Sequence, residues 1–376
     1  MRYFRANRQD IRWIIIAPNT SLKKRWVKLF RMRIAQVSPL YISVPPKFYG
    51  GVERVISYLT EELLQYGHKV TLFASGDSVT NANLMSFCEK SLWSSYPCSD
   101  TLIFHYSMLE TLIQQASCFD IIHFHTDYIH FPFLRRLLVP SLTTLHSSLD
   151  ESGKLFGFYR DTPVVSISNS QRNALPFMNW QETIYHGLPI DLFSFRGEQG
   201  KYLAFLGSIS PEKGIEEAII IAMRSDIPIK IAARVSSANR EYFETTIAPL
   251  LKHPSVEFLG EIGDSEKNEF LGQAYALLFP INWAEPFGLV MIEAMACGTP
   301  VIAYARGAVP EIIEHGVNGF IVNDIDDAVR VIKQAGRLNR RRCRQIFEER
   351  FHVSFMTTRY LSVYERLIYK NLDVDN

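Results

Sequence analysis

The sequence has no paired cysteines, no long apolar run and almost no net charge, and each absence removes a class of protein. Its five cysteines (Cys88, Cys98, Cys118, Cys297 and Cys343) form no C-x-x-C pair and are odd in number. That argues against a disulfide scaffold and for reduced thiols in a cytoplasmic protein. The apolar run from Trp13 to Ala17 falls far short of the roughly 20 residues that cross a bilayer, and is too short for a signal-peptide core. Forty Lys and Arg against 39 Asp and Glu leave a net charge of +1, so no global field recruits nucleic acid. Short-period repeats and low-complexity tracts are missing too. What is there is length and apolar content: 376 residues, 47% hydrophobic. That exceeds the roughly 250 to 300 residues at which single cores divide, and two domains are expected.

Charge is unevenly spread. Residues 1–31 carry nine basic side chains against Asp10 alone, a surplus of eight that leaves residues 32–376 seven negative. Three readings fit this extension: a start codon set too early, with Met32 the true first residue; a disordered basic tail; or an arm touching anionic lipid on the inner membrane face. It is kept apart from the fold.

From Met32 the pattern is regular. A buried strand is predicted at Arg33–Val37, then a loop holding Gly50 and Gly51, then a helix through Val52, Val55, Ile56, Leu59 and Leu63 that stops at Gly67. Further strands are expected at Val70–Ala74, Ile121–His125, Leu142–Leu145, Val164–Ile167 and Thr183–Tyr185. A second series follows the polar stretch 196–201. Its strands are Tyr202–Leu206, Ile229–Ala233, Val256–Leu259, Ala276–Pro280, Pro300–Ala303 and Gly319–Val322, with helices at Gly214–Arg224 and Ala238–Lys252. Such alternation predicts an α/β protein of parallel sheets covered by helices. The domains expected are 32–198 and 199–353, with a terminal helix over about 354–370.

Ligands of open α/β sheets sit outside the carboxyl ends of the strands. There the sequence places Glu285-Pro-Phe-Gly-Leu-Val-Met-Ile-Glu293, two carboxylates on either side of seven residues. Pro286 suits a helix start, Gly288 permits close backbone approach, and free N–H groups there favour an anion. Glu293 lies about two turns on, where a carboxylate accepts the paired hydroxyls of a ribose. The plain alternative is an acidic helix start and one surface glutamate.

Together with Val309–Phe320, Ser38–Glu53 and Phe205–Gly214, this segment resembles the retaining family 4 glycosyltransferases, whose Glu-x7-Glu signature is matched in full. The resemblance spans residues 32 to about 370. It implies the GT-B architecture: two facing, doubly wound Rossmann-like domains with the donor in the cleft and the last helix crossing back to the first domain. It further implies that Glu285 meets the sugar hydroxyls and Glu293 the ribose. Backbone at Phe287, Gly288, Leu289 and Val290, with Gly50 and Gly51 opposite, would hold the diphosphate. Lys213 would neutralise it, and His125 would stand near the anomeric carbon. The family seldom needs a metal, and the donor, a UDP-sugar foremost, is substrate rather than cofactor.

One position departs from the pattern. Ser208 stands where many relatives carry an Arg that pairs with the Lys equivalent to Lys213. Arg234, at the end of its strand, is the compensating cation expected here. The reading is therefore a metal-independent hexosyltransferase. Its alternatives are a catalytically impaired nucleotide-sugar-binding protein, motivated by Ser208, and a metal hydrolase built on His123, His125 and His146 beside Asp127. His146 is also placed on the acceptor side. The pairs Asp324/Asp326 and Asp373/Asp375 imitate a metal-binding DxD but lie outside glycine loops and read as solvated. Phe48 and Tyr49 are loop aromatics suited to stacking on an acceptor ring. The acceptor itself, lipid, polysaccharide or small metabolite, is not legible.

Overall fold

Two parallel sheets make up the body of the computed structural model, which describes residues 11–16, 25–95, 100–149 and 153–374. Ahead of them β1 (Ile11–Ile16) pairs antiparallel with β2 (Arg25–Phe30). The rest of the N-terminal extension, 1–10 and 17–24, lies outside the described residues, and with it the readings of that segment.

The first sheet contains β3 (Arg33–Val37), β4 (Lys69–Ala74), β5 (Asn83–Ser86), β6 (Ile121–Phe124), β7 (Ser141–Thr144), β8 (Pro163–Ser166) and β9 (Asn179–Thr183). Their spatial order is β5-β4-β3-β6-β7-β8-β9. The second contains β10 (Tyr202–Ser208), β11 (Ile229–Arg234), β12 (Val256–Gly260), β13 (Ala274–Phe279), β14 (Val301–Tyr304) and β15 (Gly319–Val322), in the order β12-β11-β10-β13-β14-β15. In both, the first strand sits inside the sheet. The chain winds outward one way, then jumps back and winds the other. This reversal opens a crevice between the carboxyl ends of β3 and β6, and another between β10 and β13.

The helices follow from their apolar stripes. On α1 (Gly51–Gln65), Val55, Ile56, Leu59 and Leu63 recur at helical spacing and are fully buried. The other long helices are α2 (Leu102–Gln114), α3 (Ile215–Ser225), α4 (Asp264–Gly272), α5 (Leu289–Ala296), α6 (Ile325–Ala335), α7 (Arg340–Arg350) and α8 (Val353–Val374). Helix α8 leaves the second half and joins the core of the first. Its Met356, Tyr360, Val363 and Tyr364 pack with Ile34, Leu59, Ile121 and Leu142.

Three elements differ from the sequence expectation. Strand β9 ends at Thr183 rather than beginning there, because it is a half-exposed edge strand with little apolar signal. The short edge strand β5 has no apolar run to announce it. The helix expected over 238–252 contains a π-helical turn at Phe243–Ile247.

Candidate active site

The two crevices face each other across one cleft. From the first half comes the glycine loop after β3. Gly50 has φ +143°, and a Cβ there would stand 2.7 Å from the Pro46 side chain. A Cβ on Gly51 would stand 3.3 Å from Leu289 Cδ1, in the opposite half. The loop thus lies against the start of α5, where first-turn N–H groups lack helical acceptors.

From the second half come the loops after β10, β11 and β13. Together the two walls enclose about 610 Å³. Gly50, Gly51, Ser208, Lys213, Arg234, Glu285, Phe287, Gly288, Leu289, Val290 and Glu293 all line it.

The charges in the cleft are paired in a defined order. Lys213 Nζ lies 2.5 Å from Glu285 Oε2, which also accepts from Trp283 Nε1–H at 2.9 Å. The ammonium sits 4.8 Å above the Trp283 ring centroid. Deeper in, Glu293 is 1% exposed. Its Oε1 accepts from Lys267 Nζ at 2.9 Å, while Oε2 is buried without a partner. Such a lone carboxylate oxygen is an acceptor awaiting a donor. Lys267 also lies 3.7 Å from Asp264, and Asp264 pairs with Arg54 of α1 across the cleft.

Ser208 and Arg234 are in-register neighbours on β10 and β11. The cation expected to compensate for Ser208 therefore lies one strand away. The Arg234 guanidinium is bracketed by Tyr49 and Trp93 of the first half, each ring centroid 5.2 Å away.

The histidines require a correction. His125 does not line the cleft: it is 1% exposed, with Nε2 2.8 Å from Gln36 Oε1 and Nδ1 2.9 Å from His146 Nε2. The resemblance gave its strand but not its depth, and His146, one strand over on the loop after β7, stands between it and the space. His146 and His186 line the cleft instead. Their rings stack at 5.4 Å. Burial lowers the His146 pKa to about 4 against the partial opposition of Asp127, so its ring is neutral at pH 7. Asp127, at φ +45°, accepts from His146 N–H at 2.9 Å and from Ser147 Oγ–H at 2.6 Å, which fixes the loop.

The metal-hydrolase reading finds no ligand set. Both His123 nitrogens are taken, by Tyr364 and Thr144, and among the described residues no group of three or more His, Cys, Asp or Glu gathers. Asp324 caps α6 through the Asp327 N–H, and Asp326 pairs with Arg224.

Sequence reasoning missed Arg54, Asp264, Lys267, Trp283 and His186. Arg54 and Asp264 are 210 residues apart, and nothing local to either reveals the other. His186-Gly187, just beyond β9, was the one local signal available.

Two family models match. "Glycosyltransferase Family 4" covers residues 49–182 and "Glycosyl transferases group 1" covers 193–349. The chain belongs to the family 4 glycosyltransferases. An uncharacterized glycosyltransferase of Methanocaldococcus jannaschii is 28% identical, over 77% of this chain and 85% of that one. A phosphatidyl-myo-inositol mannosyltransferase of Mycolicibacterium smegmatis is 25% identical, over 79% and 82%. Among solved structures, sucrose-phosphate synthase of Thermosynechococcus elongatus superposes with TM-score 0.75 at 18% identity, covering 90% of this chain and 100% of that one. Anabaena HepE in complex with UDP-glucose does so with TM-score 0.68 at 18% identity, over 89% and 99%. The glycosyltransferase thus has the GT-B fold, two Rossmann-like sheets facing across a cleft. No described helix is long and apolar enough to cross a membrane.

Proposed function

We propose that this glycosyltransferase moves a hexose from a UDP-sugar to an acceptor hydroxyl, with retention at the anomeric carbon and without a metal. The observation that carries the donor reading is the unpartnered, buried Glu293 Oε2 in the cleft wall. It stands about one turn from the α5 start and shares the cleft lining with Lys213 and Arg234, the groups a nucleoside diphosphate requires. HepE, of the same fold, is known in complex with UDP-glucose, which supports a uridine donor.

In this reading Glu293 receives the ribose hydroxyls, and the α5 start, Gly50 and Gly51 cradle the diphosphate. Lys213 and Arg234 take up the charge that grows on the leaving phosphate. Glu285 then exchanges its pairing with Lys213 for sugar hydroxyls. The bond from anomeric carbon to phosphate oxygen breaks, the acceptor oxygen bonds to the same face of that carbon, and its proton passes to the departing phosphate. No protein nucleophile is needed. His146 and His186 line the cleft beside the sugar, and the acceptor enters from the first half past Phe48 and Tyr49.

The test is UDP release from UDP-glucose, followed with and without EDTA, beside calorimetry with UDP. Release that resists the chelator is expected. Glu293→Gln is expected to weaken UDP binding roughly ten-fold or more, the scale of a hydrogen bond to a charged group. Unchanged affinity would remove the ribose contact. Tight UDP-glucose binding without release would favour the impaired alternative.

A further inference from the structure

We propose that Gln36, held by Tyr364 of the returning helix, is a positioning residue that selects the tautomer of His146. It would thereby decide whether the cleft wall offers the sugar a lone pair or an N–H. The inference rests on the reading of the cleft as a glycosyl-transfer site.

A buried chain of hydrogen bonds fixes where each proton sits. Gln36, on β3, is completely buried. Its Oε1 can only accept, and it lies 2.8 Å from His125 Nε2, so His125 carries its proton there. Burial holds the His125 pKa far below its ordinary value, which makes the ring neutral with a lone pair on Nδ1. That lone pair faces His146 Nε2 at 2.9 Å, so His146 must donate from Nε2. The neutral His146 ring is left with its lone pair on Nδ1. That atom is buried and has no partner among the described residues, on a side chain that lines the cleft.

On its other side the Gln36 amide N–H donates to the Tyr364 hydroxyl at 3.1 Å, and Tyr364 donates to His123 Nδ1 at 2.6 Å. His123 Nε2–H then donates to Thr144 Oγ1 at 2.7 Å, and Thr144 meets the Tyr360 hydroxyl at 2.9 Å. Each contact from Tyr364 to His146 Nε2 thus pairs one donor with one acceptor. Turning the Gln36 amide over would reverse each bond in the run and leave His146 with its proton on Nδ1. Mixed arrangements would bury two facing donors or two facing lone pairs, so the chain moves as one unit. The other titratable groups facing these rings are His130 and His186, both uncharged by burial, and Asp127, which binds the His146 backbone.

A lone pair on His146 accepts from a sugar hydroxyl and ignores groups that cannot donate. An N–H would do the reverse. Tyr364 and Gln36 reach the sugar only through this choice.

The test uses the full chain labelled with 15N-histidine. Long-range proton–nitrogen correlation distinguishes a protonated from a lone-pair ring nitrogen, and the His146 signals are identified by their loss in His146→Asn. In the natural protein, His146 is expected with its proton on Nε2. In Gln36→Leu both tautomers should appear. UDP release from UDP-glucose should then fall about ten-fold in kcat, the cost of one misdirected hydrogen bond, with UDP affinity kept within two-fold. Tyr364→Phe removes a single hydroxyl from the far helix and should act in the same direction. A His146 proton on Nδ1 in the natural protein would overturn the proposal. So would an unchanged tautomer and rate in both variants. The expected tautomers with no UDP-glucose turnover would uphold the relay and remove the transfer reading.

Discussion

At the scale of single residues, Ser208 and Arg234 define what is particular to this glycosyltransferase. Ser208 stands where the resemblance expects a cation, and Arg234 lies in register beside it on the neighbouring strand. If Arg234 carries the phosphate charge, Arg234→Gln should lower UDP affinity by roughly ten-fold, and adding Ser208→Arg should restore most of it. Calorimetry on the single and double variants decides the matter, because additive losses would place Arg234 outside the donor site. Glu53 makes a second residue-scale case. Burial pushes its carboxyl from 4.5 up to about 7, with its own backbone N–H and Arg54 opposing only in part. Its Oε2 lies 3.1 Å from the position of a Cβ on Gly50, so a carboxyl that burial inclines toward its protonated form flanks the glycine loop. A raised carboxyl pKa means that the folded state holds a proton the unfolded chain has lost. Stability therefore falls as pH rises from 4.5 to about 7 and is level above. Glu53→Gln should flatten that slope, leaving the variant roughly 2 to 4 kcal/mol better off at pH 8 than at pH 4, relative to the natural protein. Denaturant melts at the two pH values measure it, and parallel curves would contradict it.

At the scale of elements, the loop after β10 shows which parts of the site could be read in advance. Gly214, at φ +69°, caps the turn that carries Lys213, and a Cβ there would come 1.9 Å from the Pro280 carbonyl at the end of β13. The two loops of the second crevice therefore touch through this glycine. Gly214→Ala should cost about 2 kcal/mol or more and displace Lys213, visible as a lower melting temperature together with weaker UDP binding. A stable variant with normal affinity would separate the turn from the site. The glycines and the Glu285/Glu293 pair were legible because a strand, its loop and the next helix are contiguous in sequence. His125 was set at the cleft by resemblance, and its burial was not legible for the complementary reason. Alternation reports which face a strand residue takes, while depth depends on the loop of the adjoining strand, here Asp127 holding His146. The polar edge strands β5 and β9 lacked the burial that writes a hydrophobic pattern.

At the scale of the whole molecule, the halves are joined by contacts that no local reading foresees. Arg54 of α1 is 2% exposed and pairs with Asp264 on the far wall, next to Lys267 and Glu293. On the other flank, the Glu311 carboxylate accepts from the N–H groups of Asn169 and Ser170 at 2.8 and 2.7 Å and from the Tyr185 hydroxyl at 2.8 Å. Glu293 is thus wired, through Lys267 and Asp264, to the contact that brings the halves together. Arg54→Ala should loosen that contact and cost roughly 1 to 2 kcal/mol, since Asp264 keeps only the longer pairing with Lys267. Scattering should show a larger radius of gyration, and UDP should contract it; an unchanged radius with and without UDP would assign the pair to stability alone. The returning helix α8 has a different consequence. Because Tyr360 and Tyr364 complete the core that also holds Ile34, the first sheet stays unfinished until α8 has been synthesised. On the ribosome the first half waits, one flank bare, for a helix encoded beyond the whole second half, and a premature stop near residue 350 would damage the first half rather than the second.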